Sequence, residues 1–193
     1  MSERTLIIFK PDAVKRSLIG EVFQRFEKAG LKMVAGKFTL ADRELVEKHY
    51  PDTQEWKQTV GQRTVEECQK YRINLMANIG TADPVKVGEI VKKWNVDFLT
   101  SGPVLAVIFE GVNAVEKGRN LVGATVPIKA AAGTIRGDYS LDSAIVANQK
   151  GRTIYNLVHA SGSVEEAETE IKLWFKPGEI YDYKLVYEDL YKY

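Results

Sequence analysis

The order of its apolar segments is the feature that most constrains how this chain can fold. Four apolar runs have the length of strands: residues 5–9, 31–40 and 104–109, and the run that ends at His159. Segments with the apolar spacing of helices lie between or after them, at about residues 19–26, 43–50, 84–98, 113–122 and 164–175. The chain is therefore expected to build a sheet with helices packed on it.

Turn residues support these boundaries. Pro11 ends the first strand, Gly30 closes the first helix, and Asp83 followed by Pro84 starts another. With short loops removed, the order contains βαββαβ, which predicts an α+β fold of the ferredoxin-like type, an antiparallel four-stranded sheet with helices on one face. At 193 residues and 45% hydrophobic content, the chain is long enough for one domain with a sizeable core.

Charge and composition bear on the kinds of partner to expect. With 27 basic and 26 acidic residues the net charge is +1, so no global field attracts nucleic acid or an anionic membrane. The longest apolar run, residues 103–109, is far shorter than the ~20 residues of a membrane span. The single cysteine, Cys68, excludes an intrachain disulfide, and the first ten residues do not resemble a secretory signal. We expect a cytoplasmic protein with no membrane or nucleic-acid partner.

The clearest chemical signal lies at residues 156–163, where the fourth apolar run ends at His159 and small hydroxyl residues follow. Either Ser161 or Ser163 can cap the next helix, which would leave the first amides of that helix free to meet an anion. The pattern is compatible with a histidine nucleophile beside a phosphate-sized site, although a histidine at a strand end is more often structural.

Other segments offer groups suited to phosphate oxygens. Lys10 follows the first strand, Arg119 lies on a helix, and residues 133–138 read Gly-Thr-Ile-Arg-Gly-Asp. Taken singly, each is more simply a surface cation or a salt-bridged loop. The sequence has no Walker-type loop, no dinucleotide glycine fingerprint after a strand and no Cys/His metal spacing. A nucleotide would have to be held in another way.

Taken together, several blocks resemble the nucleoside diphosphate kinase family. They are residues 5–14, 18–21, 49–50, 101–104, 110–111, 123–125, 133–138, 156–161 and 170–177. Among them, the order of Lys-Pro-Asp, Ser-Gly-Pro-Val, Gly-Thr-Ile-Arg-Gly-Asp and Asn-x-x-His is jointly very specific. Only residues 51–83, which are polar and poorly periodic, and residues 139–153 exceed the family's usual pattern. Such long loops are uncommon without a role, so we expect these insertions to cap the nucleotide cleft or extend a subunit interface.

The resemblance implies an enzyme that transfers the γ-phosphoryl of a nucleoside triphosphate, typically ATP, to a nucleoside diphosphate. It implies a ping-pong mechanism through phosphohistidine at His159, supported by Glu170 and Ser161. It assigns contacts with the nucleotide to Lys10, Tyr50, Arg119, Thr125, Arg136 and Asn156. It also implies that Mg²⁺ is held mainly by the nucleotide's phosphates, and that the protein forms a homo-oligomer, a hexamer or a tetramer.

Some assignments stay open at this point. Glu170 lies at the margin of the buried face of its helix and can turn towards His159, although an exposed carboxylate is the simpler interpretation. Ser161 is by pattern equally well a helix cap. The residue that stacks on the base could be Val91 or Trp94, and both could be core residues.

The sequence departs from the family pattern beside the histidine. Residues 159–163 read His-Ala-Ser-Gly-Ser where the family usually has His-Gly-Ser-Asp-Ser, so Gly162 removes a carboxylate from the helix N-terminus. We expect a more positive site with altered stability or rate. An alternative function is that of a catalytically weakened nucleotide sensor or a nucleic-acid-binding relative. Against the sensor stands the presence of the matching residues His159, Lys10, Arg119, Arg136 and Glu170. The near-neutral charge argues against nucleic acid.

Overall fold

The computed structural model describes residues 2–186. Its centre is an antiparallel sheet of four strands, β1 (Ser2–Phe9), β2 (Lys32–Thr39), β3 (Val104–Val112) and β4 (Val158–Ala160). The spatial order is β2-β3-β1-β4. Strand β1 pairs with β3 along its full length, and its last three residues pair with β4. This confirms the predicted α+β, ferredoxin-like sheet.

Helices flank the sheet throughout residues 2–186. They are α1 (Pro11–Lys15), α2 (Ile19–Lys28), α3 (Arg43–His49), α4 (Gln54–Lys70), α5 (Leu75–Ile79), α6 (Pro84–Leu99), α7 (Ala114–Val122), α8 (Ile135–Tyr139), α9 (Ala144–Gln149) and α10 (Val164–Trp174). Two 3-10 turns lie at Pro127–Lys129 and Pro177–Glu179. None of the helices in this part of the chain is both long and apolar enough to cross a membrane.

Apolar side chains cover both faces of the sheet, where the sequence predicted helices on one. Successive side chains of a strand point to opposite faces. Accordingly Leu6 and Ile8 join a core with residues of α3, α6 and α10, whereas Ile7 and Phe9 join a second core with residues of α2 and α7. Strand β1 is therefore buried on both sides, and a sheet buried in this way needs a helical layer on each face.

Residues 51–83 differ most from the sequence prediction, because they form helices α4 and α5. Thr53 caps α4 by accepting a hydrogen bond from the Trp56 amide at 3.2 Å. Helix α4 packs on α6 through glycines: a Cβ on Gly61 would lie 1.7 Å from the Pro84 carbonyl oxygen, and one on Gly88 would lie 2.1 Å from that of Lys57. Glycines carry no apolar signal, so the usual hydrophobic periodicity of a packed helix is weak here.

Residues 139–153 are also more regular than expected, because they contain α9. Its N-cap is Ser143, whose hydroxyl accepts a hydrogen bond from the Val146 amide at 3.3 Å. The Asn148 amide of α9 donates a buried hydrogen bond to the Cys68 Sγ of α4 at 3.4 Å. The two stretches predicted from the sequence to be insertions therefore pack against each other.

Candidate active site

His159 lies in β4 beside the central strand, directly opposite Ile8. Its side chain is only 18% exposed, and Nε2 lies 2.7 Å from Oε1 of Glu170. This contact is close but is not aligned as a hydrogen bond. Because Nε2 faces the carboxylate, Nδ1 is the ring nitrogen left for a nucleophile.

Glu170 is buried on α10 and is tied to the sheet through Ser161. The Ser161 hydroxyl donates to Glu170 Oε2 at 2.6 Å and accepts from the Leu6 amide at 3.1 Å. Ser161 is therefore no helix cap, since Ser163 caps α10 by accepting from the Glu166 amide at 3.1 Å. Glu170, for which an exposed position was the simpler interpretation, is therefore buried beside His159.

The structure adds His49 to this cluster, a residue that lay in one of the matching blocks but was assigned no role. Its ring centroid lies 4.5 Å from that of His159, with the rings nearly perpendicular. Trp174 Nε1 donates to His49 Nδ1 at 3.3 Å, and the same nitrogen lies 3.5 Å from Glu170 Oε1. Trp174 follows Glu170 by four residues on α10, a spacing that places both on one face of the helix. In the sequence, this spacing was the only sign that Trp174 could belong to the site, and by itself it indicates core packing.

Burial keeps both histidines neutral. It lowers the pKa of His159 to about 3, and the charge of Lys10 adds to that effect. Burial likewise lowers the pKa of His49 to about 3, with His159 as the next cause, while burial raises the pKa of Glu170. At neutral pH His159 therefore has an uncharged imidazole, which is the nucleophilic form.

Asn156 brings three predicted site residues together. Its Oδ1 accepts from Lys10 Nζ at 2.8 Å, and its Nδ2 donates to the main-chain carbonyl of Thr125 at 2.8 Å. Its own main-chain carbonyl accepts from Arg136 Nε at 3.1 Å. The side chain of Thr125 stays exposed, so only its backbone takes part in this arrangement.

Arg136 fastens the loop before β4 to the loop after α7. Its guanidinium is buried and donates to the carbonyls of Gly123 and Val158 at 3.0 and 2.6 Å. Burial lowers the pKa of Arg136 to about 10, with the nearby charge of Arg119 as a further cause. Burial, followed by the charge of Arg136, lowers the pKa of Lys10 to about 8. Arg136 thus lowers the pKa of Lys10, and Arg119 lowers that of Arg136. Cations gathered in this way mark a place where an anion would be stabilised.

Arg119 and Tyr50 complete the predicted set. Arg119 is exposed on α7, and its charge reaches both Arg136 and His159, whose pKa values it lowers. Tyr50 follows α3 and packs edge-on against His49 at 5.0 Å between ring centroids. Burial, aided by the charge of Glu170, raises the pKa of Tyr50, which keeps its hydroxyl protonated. Val91 and Trp94 are both half-buried on α6, so the choice of a base-stacking residue stays open.

Comparison with known proteins agrees with this geometry. The family model described as nucleoside diphosphate kinase matches residues 3–79 and 87–180. This chain belongs to the nucleoside diphosphate kinase family. A nucleoside diphosphate kinase of Pyrobaculum aerophilum is 51% identical over 178 residues, which cover 92% of this chain and 97% of the relative. One of Pyrococcus furiosus is 44% identical over 181 residues, covering 94% and 88%.

Solved structures give the same result. The crystal structure of an NDP kinase from Pyrobaculum aerophilum has a TM-score of 0.92 and 49% identity, covering 94% of this chain and 100% of that one. The nucleoside diphosphate kinase from Borrelia burgdorferi, solved as a transition-state mimic with vanadate and ADP, has a TM-score of 0.77 and 38% identity. The match covers 97% of this chain and 95% of the Borrelia burgdorferi chain. The chain is therefore an enzyme that acts as a nucleoside diphosphate kinase.

One expectation about this nucleoside diphosphate kinase is corrected at the start of α10. The amide of Gly162 donates to Glu166 Oε2 at 2.8 Å, and the amide of Glu166 is capped by Ser163. These two amides are thus not free to meet an anion. Nor does the helix N-terminus lack a carboxylate, because Glu166 reaches back from the first turn of the helix to Gly162.

Proposed function

We propose that this kinase transfers the γ-phosphoryl of a nucleoside triphosphate, typically ATP, to a nucleoside diphosphate through phosphohistidine at His159. The observation that supports this best is the 2.7 Å contact between His159 Nε2 and Glu170 Oε1. It orients a neutral, mostly buried imidazole so that one nitrogen faces a carboxylate and the other can act as a nucleophile. The neighbouring cations Lys10, Arg119 and Arg136 supply the charge that a phosphoryl group requires.

In the first half-reaction, the lone pair of Nδ1 attacks the γ-phosphorus. A P–N bond forms, the bond from phosphorus to the β,γ-bridging oxygen breaks, and the nucleoside diphosphate leaves with that electron pair. The ring keeps its proton on Nε2 and becomes cationic, a charge that the Glu170 carboxylate stabilises. A second nucleoside diphosphate then takes the phosphoryl group by the reverse step.

The other site residues bind and position the substrate. Lys10, Arg119 and Arg136 neutralise phosphate charge, and Tyr50, Thr125 and Asn156 contact phosphate, sugar or the transferring group. Phosphoryl transfer depends mainly on positioning and charge stabilisation, so a set that combines three cations with three polar residues suits it. None of these groups forms a code for base edges, and we infer broad tolerance of the base.

We propose that Mg²⁺ enters as part of the nucleotide. In residues 2–186, the one group of three candidate metal-binding side chains is His49, His159 and Glu170. Two imidazoles and one carboxylate suit a softer cation than Mg²⁺, which prefers oxygen ligands. Mg²⁺ on the phosphates would neutralise the charge that develops between the β and γ positions.

We further propose a single-domain cytoplasmic enzyme that forms a homo-oligomer, a hexamer or a tetramer. Strand β2 is an edge of the sheet, and the Tyr181 amide donates to the Val34 carbonyl at 2.8 Å, which covers its first part. Further along this edge, Phe38 and Leu40 are 61% and 69% exposed. An apolar edge strand is a surface that a second copy of the chain can cover. Cys68, buried as a free thiol, fits a reducing compartment.

Incubation with γ-labelled ATP, followed by GDP, tests the proposed reaction. We expect an acid-labile, base-stable phosphoenzyme whose label GDP removes as GTP. His159→Ala should form none, whereas His49→Ala should still be labelled, more slowly. If His159→Ala keeps the label and His49→Ala loses it, the assignment of the nucleophile is wrong. Nucleotide binding without any labelling would favour the weakened sensor.

A further inference from the structure

Gly162 lies directly after the catalytic strand segment, and its lack of a side chain leaves room for a carboxylate. A Cβ built there would lie 2.5 Å from Glu166 Oε2 and 3.9 Å from Arg119 Nη1. Gly162 is not among the residues with positive φ, so its backbone conformation does not require glycine. What glycine provides at this position is space, and the carboxylate of Glu166 fills it.

The Glu166 carboxylate has two effects on its surroundings. It accepts a hydrogen bond from the Gly162 amide at 2.8 Å, and this bond fixes the turn between β4 and α10. Its negative charge also reaches the active site, where it raises the pKa of His159 against the larger opposing effects of burial and Lys10. Because a Cβ on Gly162 would touch both Glu166 and Arg119, the carboxylate and the guanidinium border the same small space.

We propose that Glu166 is a positioning residue for phosphoryl transfer, which holds the turn after His159, and that Gly162 is required to admit it. The two residues act together, because the Glu166 carboxylate, from the first turn of α10, fills the space that a side chain at position 162 would occupy. The inference rests on the proposed function, since the turn after His159 matters for transfer only if His159 is the nucleophile.

The test compares Glu166→Ala with Glu165→Ala. Glu165 lies in the same first turn of α10 and is equally exposed, but it is not bonded to Gly162. Both variants should lose similar thermal stability, because each removes one acidic group near the helix N-terminus. Only Glu166→Ala should lower kcat, by about threefold to tenfold, the effect of one lost hydrogen bond. Its KM for ADP should stay level or fall, because a negative charge near the phosphates is gone.

A double-mutant cycle examines whether Gly162 and Glu166 act through one contact. Gly162→Ala should displace the flexible carboxylate and lower kcat as Glu166→Ala does, and the double variant should be no worse than either single variant. In Gly162→Asp a second carboxylate meets the first, so we expect a larger loss, and Gly162→Asp with Glu166→Ala should recover most of it.

Two results would overturn the inference. One is a kcat for Glu166→Ala that matches that of Glu165→Ala, and the other is additive losses in the cycle with Gly162→Ala. Both results count only when the wild-type enzyme, measured in parallel, forms phosphohistidine. If the wild type forms no phosphoenzyme at His159, the proposed function itself fails, which is a separate outcome.

Discussion

The segment of residues 156–170, here called the catalytic corner, and the paired helices α4 and α6 are held by different kinds of contact. The catalytic corner is joined to distant parts of the chain by buried polar groups, such as Asn156 with Lys10 and Ser161 with the Leu6 amide. Helix α4 instead meets α6 by close backbone approach at Gly61 and Gly88. Around it lie surface ion pairs, including Lys57 with Asp52 at 3.1 Å.

This difference predicts two different responses to substitution. A buried polar group left without its partner costs much more than an exposed one, so the catalytic corner depends on every member of its network. Surface ion pairs contribute roughly 0–1 kcal/mol, so α4 depends mainly on the fit of its backbone. We therefore expect changes in the corner to affect chemistry, and changes between α4 and α6 to affect stability.

Arg136→Ala should have the largest effect on phosphoryl transfer. It removes a preorganised cation and its hydrogen bonds to the carbonyls of Gly123, Asn156 and Val158, of which that of Asn156 keeps the Val158 amide as a donor. Loss of one such donor typically costs on the order of 10²–10³ in rate. We expect that loss in kcat at saturating nucleotide, measured on protein shown by circular dichroism to be folded.

Arg63→Ala is the matched control, because Arg63 is an exposed arginine on α4. It should keep the wild-type kcat. Near-normal turnover of Arg136→Ala at saturating nucleotide would remove Arg136 from the transition state and weaken the contrast between the two regions.

The pH dependence of kcat/KM is the second prediction. With the pKa of Lys10 lowered to about 8, the free enzyme loses that positive charge as the pH rises through 8. Since only the cation binds phosphate well, kcat/KM should fall about tenfold per pH unit above that value. The kcat at saturation should fall less, because bound phosphate favours the charged amine.

Lys10→Arg keeps a charge in this pH range and should remove the decline near pH 8. A decline that persists unchanged in Lys10→Arg would assign it to another group and contradict this role for Lys10.

The sequence predicted the fold well where the pattern of side chains reports burial. The apolar run at residues 104–109 and the Asp83 cap both correspond to real boundaries, because alternation and capping are local effects. Helix α4 could not be recognised because its packing depends on Gly61, whose role arises only when α6 lies beside it. The second helical layer was missed for a related reason, since short apolar runs do not reveal which face of a strand is covered.

The candidate site shows the same limit. His159, Lys10 and Asn156 were found through motif blocks, and the structure brings them together. The backbone bonds of Arg136 and the contact of His49 with His159 connect residues far apart in sequence, and no local pattern encodes them. Glu166 was missed because the sequence showed only that Gly162 lacked a carboxylate, whereas the replacement comes from one helical turn later.

Gly88→Ala is the prediction with the smallest effect on phosphoryl transfer. The added Cβ would lie 2.1 Å from the Lys57 carbonyl oxygen, so α4 and α6 would have to move apart. Overpacking of this kind typically costs about 1–3 kcal/mol, and we expect a loss of that size in the free energy of unfolding. Phosphoenzyme formation at high ATP should be unchanged, while the affinity for nucleotide or the size of the oligomer should change if this region caps the cleft or extends an interface.

Gly20→Ala provides the control, because Gly20 is an exposed helical glycine whose added Cβ would meet no atom within 4 Å. There the replacement should stabilise the protein by roughly 0.4–1 kcal/mol, because alanine lowers the conformational entropy of the unfolded chain. If chemical denaturation shows a lower free energy of unfolding for Gly88→Ala and a higher one for Gly20→Ala, glycine is necessary at position 88 because of the space it leaves. A Gly88→Ala protein as stable as wild type would show that α4 and α6 are not held by backbone fit. If Gly88→Ala is stable but forms the phosphoenzyme more slowly, then α4 is coupled to the catalytic corner and the two regions do not respond separately.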